Sequence, residues 1–171
     1  MRQFIYNVSA SIAENYSPKA PFIRNDKAQF VLINNFKSVL QYSNLLFQRF
    51  GFSKASIKLL MKLIIRRNAL YIVTYQNEIT SDGLLSFGVC NHYKINSNDV
   101  VVGPVNTSHN HQGKGFATFG LISCVNSLRN CNQYSCIFID TREDNLAMQK
   151  VIDKAGFSPT TNYTRDSSKP L

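Results

Sequence analysis

Apolar positions along this chain change period several times, and each change marks an element. Phe4 to Val8 reads as a short strand, and Pro18 and Pro21 mark a loop after it. Asn25-Asp26 is placed to cap a helix starting near Lys27. From Phe30 to Phe50, Ile33, Phe36, Leu40, Leu46, Phe47 and Phe50 recur with a rough helical period, which Gly51 ends. Ser53 or Ser56 then caps a second helix running to Arg67, with Ile57, Leu60, Leu63 and Ile64 inward. Ala69 to Tyr75 is rich in β-branched and aromatic residues and reads as a strand. Ser81-Asp82-Gly83 reads as a turn, Leu84 to Cys90 as a strand, Asn96-Ser97-Asn98 as a turn, and Asp99 to Thr107 as a third strand. Pro104 inside that strand removes a ladder donor, so it belongs at a bulge or where pairing fails. A helical pattern follows, ending near Arg129, and Ser135 to Asp140 is the next strand. Thr141 to Asp144 has capping-box spacing before a helix with Met148, Val151, Ile152 and Ala155 on one face. Gly156 sits where a left-handed C-terminal residue belongs, Phe157 opens an extended segment towards Tyr163, and the tail from Thr164 is polar.

One junction in this pattern carries chemistry. Gln112-Gly113-Lys114-Gly115-Phe116-Ala117 lies between the Val100-Val101-Val102 strand and the long helix. Loop glycines let backbone approach a ligand, and the first amides of a helix point outward without partners. Those amides and the helix dipole favour an anion. The spacing, Gln-x-x-Gly-x-Ala, matches neither a nucleoside-triphosphate loop nor a dinucleotide fingerprint.

This spacing resembles the acyl-CoA signature of the GNAT superfamily of N-acetyltransferases, (Gln/Arg)-x-x-Gly-x-(Gly/Ala). The segment from Asn145 to Phe157 resembles the same family's late helix, which begins near an Asn and ends in Lys-x-Gly-Phe, here Lys154-Ala155-Gly156-Phe157. The resemblance covers Asp99 to Phe157 firmly and fades before Leu70. It implies an α+β, three-layer fold: one domain over residues 1–171, with a mixed, mostly antiparallel sheet flanked by helices. Two splayed strands would form the acyl-CoA cleft. It implies acetyl-CoA as co-substrate, with Gln112, Gly113, Lys114, Gly115, Phe116 and Ala117 around the pyrophosphate. It also implies backbone groups near Val105 and Thr107 on the pantetheine arm, and a contact from Asn145, which equally reads as a helix N-cap. Many relatives carry a Glu near the start of the strand before the loop. Asp99 falls at about that position and reads either as a general base acting through water or as a turn residue. His92, His109 and His111 are alternatives, since imidazole titrates near neutral pH. Many relatives also carry a Tyr seven residues after the Asn, to protonate the leaving sulfur. Here that position is Ile152, so Tyr134 or water would have to serve.

Composition narrows the rest. A chain of 171 residues that is 44% hydrophobic can bury a sizeable core. No apolar run approaches the roughly 20 residues of a membrane span, and the N-terminus lacks signal-peptide layout, so a cytoplasmic protein is expected. Cys90, Cys124, Cys131 and Cys136 form no C-x-x-C pair and no zinc spacing, so free thiols and no metal are expected, with Cys124 in the core. The net charge of +9 is spread along the chain, with its densest cluster at Lys58, Lys62, Arg66 and Arg67 on one helical stripe. No helix-turn-helix or RNA-recognition pattern accompanies it, so no nucleic-acid partner is expected.

The expected function is transfer of acetyl from acetyl-CoA to a primary amine of a small molecule, by direct attack in a ternary complex. The positive charge disfavours cationic acceptors and suits an amino sugar or a nucleotide-linked amino sugar. The aromatic-rich stretch from Phe30 to Phe52 either stacks such a ligand or packs as core. A non-catalytic CoA-binding module and a protein or peptide N-acetyltransferase are the alternatives, and homodimeric assembly is open.

Overall fold

A computed structural model describes residues 3–11, 16–18, 27–65 and 68–160. Strands are β1 (Gln3–Ser9), β2 (Gln29–Ile33), β3 (Asn68–Tyr75), β4 (Glu78–Phe87), β5 (Val100–Thr107), β6 (Cys136–Arg142) and β7 (Ser158–Pro159). Helices are α1 (Phe36–Gln41), α2 (Ser43–Phe50), α3 (Lys54–Ile64), α4 (Phe116–Cys131) and α5 (Leu146–Lys154). The strands form one sheet in the order β2-β3-β4-β5-β6-β1-β7. Every neighbouring pair is antiparallel except β5 and β6, which α4 connects as a crossover.

Side chains alternate across the sheet, so its two faces build separate cores. Ala69, Tyr71, Leu85, Val102 and Ile139 pack with Leu121, Cys124 and Val125 of α4 and Ile152 of α5. Leu70, Ile72 and Ile79 pack on the other face with Val39, Leu46 and Leu63 of α1, α2 and α3. Farther along that second face, Ile5 and Phe138 are covered by Tyr93, from the loop between β4 and β5. This is the expected α+β arrangement of a mostly antiparallel open sheet between helices.

Three local expectations need correction. The stretch from Phe30 is not one helix: Phe30 to Ile33 belongs to β2, paired with Val73 to Leu70 of β3. Asn35 then starts α1 with a reciprocal cap, its side chain accepting from the Ser38 amide at 2.9 Å. Ser81-Asp82-Gly83 is not a turn. It lies inside β4, and the chain reverses at Gln76-Asn77, both with positive φ. Gly83 is needed there because Tyr71 lies across it; a Cβ at Gly83 would stand 2.3 Å from the Tyr71 ring. Thr141 is buried in β6 rather than capping, and Asn145 caps α5 by accepting from the Met148 amide at 3.1 Å. Ser53 caps α3, Cys124 is fully buried, and Gly156 has φ +82 as expected, whereas Ile57 of α3, expected inward, is exposed. Asn25, Asp26, Arg66, Arg67 and Tyr163 lie outside the described residues.

Asp82 is 2% exposed, so its charge must be met inside the fold. Arg49 of α2 supplies two contacts of 2.8 Å, and the Asn106 side chain of β5 donates at 3.2 Å. The pair pins α2 to the centre of the sheet.

Tyr71 carries the opposite defect, a buried hydroxyl with no partner among the described residues. Burial pushes its pKa well up, so the phenol stays neutral. Replacing Tyr71 by Phe removes a desolvated group and keeps the packing, so the urea unfolding midpoint of the variant should hold or rise. Gly83→Ala should lower it by the equivalent of about 2 kcal/mol, through overpacking against the same ring.

Candidate functional site

The site begins where β5 leaves β6. Their pairing runs from Val100↔Ile137 to Val102↔Ile139 and goes no further, although both strands continue. The next residues of β5 are Gly103, with no side chain, and Pro104, with no amide hydrogen. On its other edge β5 stays paired, Val105 opposite Gly83 and Thr107 opposite Ser81. One backbone edge of β5 from Gly103 onward is therefore open to a ligand that can pair as a strand would.

A slot of about 340 Å³ opens in this gap. Val102 and Ile139 line it from the α4 face of the sheet, and Val101 and His92 from the other, so it passes through the sheet. On the α4 face it meets a groove of about 450 Å³, the two sharing Val105, Asn145 and Met148. On the opposite face it meets a cavity of about 640 Å³, the two sharing His92, Val101 and Gly103.

The groove on the α4 face holds the glycine loop. Gly115 is the N-cap of α4 with φ +85, and no side chain caps this helix. Its first amides are therefore left for an outside acceptor. Gly113 has φ +74, and a Cβ there would meet nothing within 4 Å. Thr107, Gln112, Gly113, Gly115, Phe116 and Ala117 line the groove from one side. Asn145, Lys150 and Lys154 line it from α5. Lys114 is exposed in the loop and is not among the lining residues. The Gln112 side chain reaches back to the Thr107 carbonyl at a long 3.5 Å. His111 also lines the groove, with Nδ1 2.9 Å from the Ser108 hydroxyl and its ring edge-on to Phe116. Unpaired amides, a helix N-terminus and two lysines on one side of α5 suit an extended polyanion. Neither Lys150 nor Lys154 is expected from the sequence to face a ligand, and their four-residue spacing is the signal that places both on one helix face.

The residues considered for proton transfer scatter. Asp99 is 1% exposed, and its Oδ2 accepts the Asn96 amide at 2.8 Å in the turn before β5. It lines neither slot nor groove. His109 is exposed in a short 3-10 turn over His109–His111 and lines neither. Tyr134 stacks on Phe87, with ring centroids 5.4 Å apart, and lines a separate hollow with Asn34, Asn35 and Gln133. Burial raises its pKa. Ile152 is fully buried. His92 stands at the junction of the slot and the cavity behind it. Among the described residues no cluster of His, Cys, Asp and Glu is arranged to hold a metal ion, and no helix is long and apolar enough to cross a membrane.

No protein-family model matches this sequence, and no curated protein matches it. Solved structures do match. The aminoglycoside acetyltransferase AAC(6')-Iy, solved with a bisubstrate analogue of CoA and acetylneamine, superposes with a TM-score of 0.62 at 17% identity, over 84% of this chain and 99% of that one. A GNAT-family acetyltransferase from Colwellia psychrerythraea gives 0.57 at 12% identity, over 95% of this chain and 53% of that one. A GCN5-related N-acetyltransferase from Kribbella flavida gives 0.52 at 8% identity, over 93% of this chain and 55% of that one. This chain thus spans about half the length of the last two. At these identities the likeness is one of architecture, and it agrees with the splayed strands, the glycine loop and the α5 wall: this chain has the fold of the GNAT acetyltransferases.

Proposed function

We propose that this chain is an acetyl-CoA-dependent N-acetyltransferase that acts on a primary amine of a small molecule. The observation that carries the reading is the row of three adjoining spaces, sharing lining residues, that runs from the α4 N-terminus by the gap between β5 and β6 to the opposite face of the sheet. A thioester on a long polyanionic arm fits one half and an amine the other. The α4 amides of Phe116 and Ala117, with Lys150 and Lys154, would hold the phosphates of CoA. The open edge of β5 at Val105 and Thr107 would pair with the pantetheine arm, and Asn145 would close over it. A backbone amide of that edge would also polarise the thioester carbonyl. The amine would attack this carbon directly. A C–N bond forms, the C–S bond breaks, and its electron pair leaves on sulfur.

The acceptor half is lined by Lys62, Asn68, Ser86 and Asn91, with no carboxylate among its described lining residues. AAC(6')-Iy was solved with an acetylneamine analogue. A polycationic acceptor of that kind would find no counter-charge in this cavity. An amino sugar without extra positive charge, or one bearing a phosphate or nucleotide, suits it better. A non-catalytic CoA-binding module is the second reading. It is favoured by Ile152, buried and unable to donate where the family resemblance implies a Tyr.

Two measurements test this. In thermal melts, millimolar acetyl-CoA and desulfo-CoA should each raise the midpoint, and ATP should raise it little. A hundredfold excess over Kd stabilises by about 2.7 kcal/mol, or roughly 5 °C or more for a chain of this size. Gly115→Asp, which puts a carboxylate and a side chain at a left-handed position beside the phosphates, should abolish the rise while keeping the helical circular-dichroism signal. No rise with the wild-type fold intact would sink the reading. The second measurement is thiol release from acetyl-CoA with glucosamine, glucosamine 6-phosphate and kanamycin. Either glucosamine should outpace kanamycin at least tenfold in kcat/KM. Faster turnover of kanamycin would reject the acceptor class, and binding without any thiol release would select the non-catalytic module.

A further inference from the structure

The passage leaves few candidates for the group that deprotonates the amine. This inference rests on the acetyltransferase reading above. Once a CoA arm fills the groove on the α4 face, the cavity on the α3 face and its junction with the slot remain as an approach to the thioester for the amine. Among the described residues, the carboxylates stand elsewhere or are engaged. Asp82 is held by Arg49 and Asn106, and Asp99 is buried in its turn. Asp140 lines the slot but not the cavity by which the amine enters. His111 belongs to the groove on the far side, and His109 faces solvent. Among the described titratable residues, His92 is the one that lines both the slot and the entry cavity.

The loop that carries His92 is fixed at both ends. Tyr93, next to it, is 4% exposed and packs on Phe138, with ring centroids 6.2 Å apart. The Gly88 amide donates to the Asp99 carbonyl at 2.8 Å, and the Asp99 carboxylate accepts the Asn96 amide. A Cβ at Gly88 would stand 2.7 Å from the Ser97 carbonyl oxygen, so the two ends of the loop press together. The His92 amide itself donates to the Cys90 thiol at 3.5 Å. The ring is half-buried and makes no hydrogen bond to the described residues. The titratable groups that line the same spaces are Lys62 from α3, Cys90 from its own loop, and Asp140 and Arg142 from β6.

We infer that His92 is the general base of the transfer. Its neutral imidazole takes one proton from the acceptor ammonium at the mouth of the slot. The freed lone pair forms the C–N bond as the C–S bond breaks. The second nitrogen proton goes through water to the CoA thiolate, and the imidazolium returns its proton to solvent. One ammonium and one thioester give one amide, one thiol and one released proton.

Two readouts test the assignment, and the first needs no acceptor. The chain has three histidines, so ring-labelled spectra of the full protein are assignable with His92→Gln. Saturating acetyl-CoA should shift the His92 ring resonances, along with those of His111 in the groove, and leave His109 in place. If acetyl-CoA raises the melting midpoint and the His92 signal stays still, the assignment is wrong while the CoA reading stands. If the midpoint does not rise, the function itself fails. The second readout is the pH profile with the amine from the panel that turns over fastest. His92→Gln should lose about 100-fold or more in kcat/KM near pH 6.5, within the range typical of a general base. The deficit should shrink as pH rises and the amine loses its proton unaided. Added imidazole should restore part of the rate to His92→Ala. A loss that is uniform across pH and not rescued would reject His92 as base, and so would an undiminished rate. The acetyl-CoA melting shift of both variants should match wild type, which separates lost chemistry from lost folding.

Discussion

The arrangement depends on a ladder that stops. Parallel strands β5 and β6 share pairing through Val102 and Ile139 and then part, in the middle of a sheet whose other strands stay paired. Backbone amides and carbonyls in a sheet centre are costly to leave unpaired. At Gly103 and Pro104 that cost is softened locally, because the proline carries no donor to leave unpaired. The edge of β5 beyond them is held in strand geometry by β4 alone. It is an edge made ready for an extended partner without being offered to another sheet, since α5 and the glycine loop stand beside it.

Holding such a gap open needs a rigid frame, and the two cores provide it on either side. Leu121, Cys124 and Val125 of α4 fix one face of the sheet centre, so the α4 N-terminus is aimed at the gap by packing rather than by a cap. Leu46 and Leu63 fix the other. Between them the Arg49–Asp82 pair ties α2 to β4 opposite Asn106, inside the stretch of β5 that lines the groove. Breaking a buried pair costs about 3–5 kcal/mol because the remaining charge is stranded. Asp82 is thus committed to the frame. The excess positive charge of the chain is matched, at the groove, by Lys150 and Lys154, which face the place where anions would lie.

What the sequence disclosed is what local rules govern. A strand, two glycines and an apolar helix are legible because left-handed φ values and uncapped amides are properties of a few neighbouring residues. Asn145 was legible as a cap, which it is, and it also lines the groove. The errors fall where distant residues decide. Ser81-Asp82-Gly83 has turn composition, yet Gly83 is there to admit the Tyr71 ring and Asp82 to meet Arg49, thirty-three residues earlier. Phe30 to Ile33 joins a strand because β3 offers it an edge. The standing of His92 depends on which two cavities meet at one loop, and periodicity carries no trace of that.

Asp99 shows how a residue can sit at a suggestive position and serve another purpose. Counting along the chain puts it near where the resemblance implies an acid, but one oxygen of its buried carboxylate accepts the Asn96 amide, the other has no partner among the described residues, and its carbonyl accepts the Gly88 amide. Both bonds hold the 88–99 loop closed, and that loop presents His92 to the slot. The same economy applies to the leaving group. Ile152 at the expected acid position fills the core under α5 and can donate nothing. A thiol with a pKa near 8.5 leaves as thiolate without much help, whereas an alkylammonium near neutral pH cannot attack until it loses a proton. If the two proton transfers had to be supported unequally, the amine is the one that needs a side chain. The structure puts a half-buried imidazole where the slot and the cavity behind it share their lining, and a buried isoleucine at the position where the resemblance implies an acid.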